Sequence, residues 1–318
     1  MQNHMGWSIG GIATSLLEGN PIAIAITALI AFGLPVLLHL IFYQTVASPS
    51  LCNFLLIGPS GAGKTALLSL LETKSSSLAK QSRLTHMSQA SALATVSLPA
   101  SVPTASNRYR SVNDSSLKDI SRNPIKYRLK DTPGHGKLRE SRVLSELHSM
   151  LSSKDNKSKL RGVIFLVDTA ALSEVNALRE AASYLYDVLL ILQRRALRKG
   201  RSSIKAASEI PVLVAANKQD LFTALPSRSV QEKLEAEMDR IRKSKSKGIV
   251  DVSADSVIEE DEDEILGSSD IRNTFSFKLL EDEVGVRVEV VGGAVKGDEG
   301  SIIGTGVRKW EEWIGQCL

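Results

Sequence analysis

One stretch of the chain has no polar face at all. From Pro21 to Tyr43 (PIAIAITALIAFGLPVLLHLIFY) there is no charged residue, and a helix of that length can cross a hydrocarbon layer about 30 Å thick. The pattern predicts a membrane-spanning helix over 21–43, after a short N-terminus (1–20) and before a connector (44–50). A secretory signal peptide would open with a positive segment, whereas residues 1–20 contain no Lys or Arg. From residue 51 onward the pattern becomes short apolar runs alternating with amphipathic ones. Cys52 to Ile57, Lys126 to Lys130, Gly162 to Val167, Ile210 to Ala216 and Val286 to Val291 read as strands. Lys64 to Glu72, Leu138 to Leu151, Glu174 to Leu192, Ser227 to about Lys245, and Arg308 to Cys317 read as helices. In the third of these, Leu178, Ala181, Ala182, Leu185, Val188, Leu189 and Leu192 fall on one helical face. With an edge strand expected within 75–123, the alternation predicts an α/β domain over 51–318: a mostly parallel six-stranded sheet covered by helices on both faces.

Biased stretches interrupt this order. Residues 75–123 are rich in Ser, Thr, Ala and Asn, a loop composition. Arg194 to Lys205 is basic, and Asp251 to Glu264 contains EEDEDE; single-sign blocks seldom pack. Insertions are therefore expected near 89–123, 194–208 and 246–270. The formal net charge is only +4, and no basic run is interleaved with aromatics, so nothing points to sequence-specific nucleic-acid recognition. Two cysteines, Cys52 and Cys317, make neither a disulfide framework nor a metal-ligand spacing. That usage suits a reducing compartment.

Three motifs then supply chemistry. Gly58-Pro59-Ser60-Gly61-Ala62-Gly63-Lys64-Thr65 fits GxxxxGK[ST] between a predicted strand and a predicted helix. Glycines let successive backbone N–H groups face phosphates, and the helix N-terminus adds favourable dipole charge. Lys64 is expected to reach the β- and γ-phosphates and the Thr65 hydroxyl to ligate Mg²⁺. Asp131-Thr132-Pro133-Gly134 fits DxxG, with Asp131 holding Mg²⁺ and the Gly134 amide sensing the γ-phosphate. His135 follows, either to orient the attacking water or to contact a partner. Asn217-Lys218-Gln219-Asp220 fits NKxD. A carboxylate at Asp220 accepts from guanine N1–H and the 2-amino group, which adenine lacks. Asn217 is expected to tie this loop to the first one, and the Lys218 stem to lie along the ring.

Two elements are less sharply marked. A switch Thr or Ser ligating Mg²⁺ is sought in Leu84 to Gln89, where Thr85 is preferred to Ser88. A last base contact, by a backbone amide, is assigned to Ala294 in Gly293-Ala294-Val295-Lys296; a plain glycine turn is the alternative. The motif order predicts a GTP and Mg²⁺ site. Because GTP is drawn from the cytosol, the domain is expected to face it, leaving residues 1–20 lumenal.

With these residues in view, the chain resembles the β subunit of the signal recognition particle receptor, of fungal type, a Ras/Arf-like GTPase anchored in the endoplasmic reticulum membrane. The resemblance rests on the N-terminal span, DTPGH at Asp131 to His135 followed by Lys137-Leu138-Arg139, and THMSQ around Thr85. Val167-Asp168, NKQD at Asn217 to Asp220 and WEEWI around Trp310 support it. It implies a single-pass anchor and GTP-dependent binding of the receptor α subunit during co-translational targeting, with slow GTP hydrolysis. Ribosome and translocon follow as further partners. Two rival readings are an Arf/Sar-like trafficking GTPase that cycles on and off membranes and a non-hydrolysing GTP-bound scaffold. The first ordinarily needs a myristoylated glycine or an amphipathic helix, and position 2 here is Gln2.

Overall fold

The computed structural model describes residues 21–46, 51–75, 88–99, 101–105, 124–152, 160–198, 210–253, 265–267, 273–296 and 306–318. It separates into two compact units, 1–50 and 51–318. In the first, α1 (Pro21–Val46) is one helix of 26 residues with no acidic residue in its first turn and no basic residue in its last. Pro21 opens it, where a missing N–H costs nothing. Side chains are described at 21, 22 and 24–38, and nearly all are exposed, Ile22, Leu29 and Phe32 among them. Among the described residues no helix is long and apolar enough to cross a membrane. The membrane-spanning helix expected over 21–43 is therefore not shown among them.

The second unit is built on six strands: β1 (Cys52–Ile57), β2 (Ala92–Ser97), β3 (Lys126–Asp131), β4 (Leu160–Asp168), β5 (Val212–Asn217) and β6 (Val288–Gly292). Their order is β2-β3-β1-β4-β5-β6. All neighbours are parallel except the edge pair β2 and β3. This is the expected mostly parallel six-stranded α/β sheet. Strand alternation divides the core in two. Leu55, Ile57, Val163, Phe165, Val212 and Val214 face one side, where α4 (Val175–Arg198), α5 (Ser227–Ser253) and α6 (Phe277–Val284) supply the partners. Phe54, Leu56, Ile164, Leu166 and Leu213 face the other, against α2 (Lys64–Ser75) and α7 (Arg308–Cys317). Both faces of β1, β4 and β5 are apolar because both are covered.

Several elements differ from the pattern reading. The single helix expected over 138–151 is a helical turn (Gly136–Leu138), a π-helix (Arg139–Leu144) and α3 (Ser145–Ser152). Arg139 is drawn inward there: its guanidinium lies 5.0 Å from the Tyr184 ring centroid and 3.2 Å from Asp187 Oδ2. Helix α6 was not expected, although Ser276 caps it by accepting from Leu279 N and Gly285 ends it at φ 81°. Stretches with insertion composition also contribute structure. Residues 92–97 form β2 and α5 runs on to Ser253. Leu266 is fully buried, its amide donating to Tyr186 Oη at 3.1 Å. Thr85 lies outside the described residues.

Leu185 is fully buried between α4 and the sheet, so Leu185→Ala should cost about 2–5 kcal/mol. Leu93, 60% exposed on β2, should tolerate Ala within about 0.5 kcal/mol. Chemical denaturation of the full chain checks both.

Candidate functional site

Parallel strands deliver their following loops to one edge, and the chain leaves β1 toward β3 on one side and β4 on the other. The crevice at such a switch point is where open α/β sheets bind ligands. Five loops meet there, after β1, β3, β4, β5 and β6. The three sequence motifs occupy the first, second and fourth.

The loop after β1 needs its glycines for stated reasons. Gly58 has φ +148°, and a Cβ on it would lie 2.2 Å from Leu166 O. Gly63 has φ +98°, and its Cβ would meet Asn217 Nδ2 at 2.5 Å. Lys64, the first residue of α2, turns back over the loop and donates to Gly58 O and Pro59 O, both at 2.8 Å. Its ammonium is thus held inside the loop. Burial pushes its pKa down to about 8, against the opposing pull of the Asp131 charge.

The loop after β3 approaches closely. Thr132 anchors it, its hydroxyl donating to Leu56 O at 2.8 Å. Asp131 is fully buried. Its Oδ2 accepts from Thr65 Oγ1 at 2.7 Å, while Oδ1 has no partner. Burial raises the Asp131 pKa, opposed by the Thr65 hydroxyl, the Lys64 charge and the Thr132 amide. A hydroxyl and a carboxylate with an unmatched buried oxygen form a hard, oxygen-donor set of the kind Mg²⁺ takes. The pair expected from the sequence is therefore together, and it fits the ion. Gly134 lies so near the first loop that an added Cβ would sit 2.5 Å from Lys64 Nζ and 2.9 Å from Pro59 O. His135 is exposed, and its Nδ1 accepts from Lys137 N at 3.3 Å.

The loop after β5 is pinned from three sides. Asn217, 2% exposed, donates from Nδ2 to Ala62 O at 2.8 Å and accepts at Oδ1 from Val295 N at 3.1 Å. Thr169, after β4, donates from its hydroxyl to Asn217 O at 2.7 Å. Lys218 sits in the left-handed region at φ 65°, a strained position for a side-chain-bearing residue. Its Nζ is 2.5 Å from Asp168 Oδ2, and Asp168 Oδ1 accepts from Ala170 N and Ala171 N. Asp220 is exposed at the mouth, and Ala294 is buried beside this loop.

The structure brings together residues 58–65, Asp131, Gly134, Asn217 and, through Val295, the Ala294 turn. Sequence reasoning missed the pairing of Asp168 with Lys218. A carboxylate closing an otherwise apolar parallel strand, GVIFLVD, was the available signal. It also missed Trp310, whose indole covers Gly293.

A family model described as signal recognition particle receptor beta subunit matches residues 50–284. The chain is 27% identical over 266 residues to the signal recognition particle receptor subunit beta of Saccharomyces cerevisiae, covering 84% of each. It also resembles two solved structures from Chaetomium thermophilum. The signal recognition particle receptor SRb-GTP/SRX complex aligns at 36% identity and TM-score 0.57, covering 84% of this chain and 99% of that one. The SRb-GDP-Mg structure aligns at 35% and TM-score 0.55, covering 85% and 98%.

Asn217→Ala should destabilise the fold by roughly 1–3 kcal/mol even without ligand, because Ala62 O and Val295 N lose their buried partner. Asn217→Asp keeps the acceptor for Val295 N but opposes an oxygen to Ala62 O, so it should also destabilise. Thermal unfolding of the ligand-free chain measures both.

Proposed function

The chain belongs to the signal recognition particle receptor beta-subunit family, and on that premise we propose that it is a membrane-anchored subunit that holds GTP and Mg²⁺ and binds the receptor α subunit when GTP-loaded. In this role it serves co-translational protein targeting to the endoplasmic reticulum. The observation that carries the reading is the Thr65–Asp131 pair, with its unpartnered buried carboxylate oxygen, set against a glycine loop that Asn217 ties to the NKxD turn.

The glycine loop, residues 58–63, wraps the phosphates. Lys64 exchanges its two carbonyl partners for β- and γ-phosphate oxygens, a stronger charge-assisted arrangement. Thr65 and Asp131 hold Mg²⁺, which neutralises phosphate charge, and Thr85 is the proposed third protein ligand. Gly134, with room for no side chain, presents its amide toward the γ-phosphate. Asp220 selects guanine through N1–H and the 2-amino group, and the Ala294 amide completes the base contacts. The relatives solved as SRb-GTP/SRX and SRb-GDP-Mg support both ligand and partner.

Hydrolysis in this scheme is slow. With Nδ1 of His135 accepting from Lys137 N, the neutral ring carries its proton on Nε2. It can donate to and orient a water but cannot take the water's proton in that state. GTP then acts mainly as a ligand that orders the partner surface. We place residues 21–43 across the endoplasmic reticulum membrane, with 51–318 on the cytosolic side, on the strength of the uncharged sequence of α1. The ribosome and translocon are partners by the same targeting role.

Three measurements test the scheme. Asp220→Asn should weaken GTP binding roughly hundredfold in competition with ATP; unchanged guanine preference overturns the base assignment. Alkaline carbonate should leave the full chain in the membrane pellet; release into the supernatant removes the anchor. Receptor α subunit should capture the GTP-loaded chain and lose it with GDP; equal recovery in both states removes the nucleotide switch.

A further inference from the structure

The loop after β6 is backed by α7, which follows it in sequence and packs across the sheet. Trp310 is 1% exposed and donates from Nε1 to Val291 O at 3.0 Å. Its ring abuts Gly293: a Cβ there would be 2.7 Å from Cζ2 and 2.8 Å from Cε2. Gly293 N donates to Ala216 O, and Gly293 O accepts from Gln219 N at 3.2 Å inside the NKxD turn. Two residues on, Val295 N donates to Asn217 Oδ1. The amides on either side of Ala294 are thus committed, and Ala294 is 2% exposed. Among the described residues the Ala294 amide donates to no backbone carbonyl. A buried amide in that condition points to a ligand acceptor.

We propose that Trp310 is a positioning residue for base recognition, its indole holding the Gly293–Ala294 turn so that the Ala294 amide meets O6 of guanine. The inference rests on the guanine-nucleotide reading above. The chemistry selects O6: Asp220 takes the two donors of the guanine edge, and the neighbouring edge atom is an acceptor that needs an N–H. The indole contributes in two ways. The ring blocks the turn from collapsing toward α7, and its N–H fixes the ring against the Val291 carbonyl of β6. Phe keeps most of the ring area but has no donor for Val291 O, so the turn would rock on a loosened support. Trp310 touches no part of the nucleotide and acts only through the turn.

The test uses the full chain in detergent micelles, with GDP, 6-thio-GDP and ADP competing against a fluorescent guanine nucleotide. Sulfur at position 6 accepts a weaker hydrogen bond but leaves N1–H and the 2-amino group in place. The wild type should prefer GDP to ADP and GDP to 6-thio-GDP. Trp310→Phe should weaken GDP roughly tenfold and 6-thio-GDP much less, drawing the ratio of the two toward one. Gly293→Ala should reduce the ratio likewise, and the double change Gly293→Ala with Trp310→Phe should recover part of it, since the smaller ring makes room for the methyl group. Equal weakening of both nucleotides in Trp310→Phe, or no weakening of either, overturns the proposal, because loosened packing alone does not distinguish oxygen from sulfur. If Trp310→Phe does not fold, Gly293→Ala with an unchanged ratio overturns it equally. A wild type that fails to prefer GDP to ADP refutes the guanine reading itself, and the role of Trp310 falls with it.

Discussion

Asn217 makes two hydrogen bonds on which the rest of the site depends. One side-chain amide reaches the loop after β1 through Ala62 O and the loop after β6 through Val295 N, and Thr169 ties the loop after β4 to its carbonyl. Four of the five loops at the carboxyl edge are thereby fixed by one buried residue. Sheet geometry alone brings the loops near each other but leaves their separation free. An amide that must satisfy a donor and an acceptor at once, at a position only 2% exposed, sets the separation to within hydrogen-bond tolerance.

The loop after β3 is the one outside this tie, and its contacts are of another kind. It is held by Thr132 to Leu56 O, by the Thr65–Asp131 hydrogen bond and by the close fit of Gly134 on the glycine loop. In the proposed function the two groups of the Thr65–Asp131 bond would turn to Mg²⁺. Just beyond lies the π-helix Arg139–Leu144, pinned to α4 by Arg139 on Asp187 and Tyr184. A wide helical turn of this type is a common mark of functional segments. Four loops are thus tied through one residue, while the loop after β3 is held by contacts of its own.

Most of this was legible in the chain. The order of strands, the three motifs and the two-sided cover followed from periodicity, since both the apolar runs and the one-face spacing at Leu178 to Leu192 are dictated by burial. The π-helix was not, because Arg139 to Leu144 has ordinary helical composition and its register is set by where Arg139 finds Asp187. Helix α6 was missed although Ser276 and Gly285 marked its ends; eight residues beside a charged stretch show too little periodicity. The partners of Asp168 and Trp310 could not be assigned from local sequence, since they lie 50 and 17 to 19 residues away. Thr85 offered a residue type at a plausible place and nothing to fix its position.

The C-terminal helix has a bearing on the order in which the protein is made. The glycine loop and the Thr65–Asp131 pair are made by residue 134, and the Gly293–Ala294 turn arrives at 293, but the indole that backs this turn comes only at Trp310. Synthesis runs in one direction, so an emerging chain carries both loops before it carries the side chain against which Gly293 packs. The turn after β6 therefore gains its backing last, when α7 packs onto the sheet.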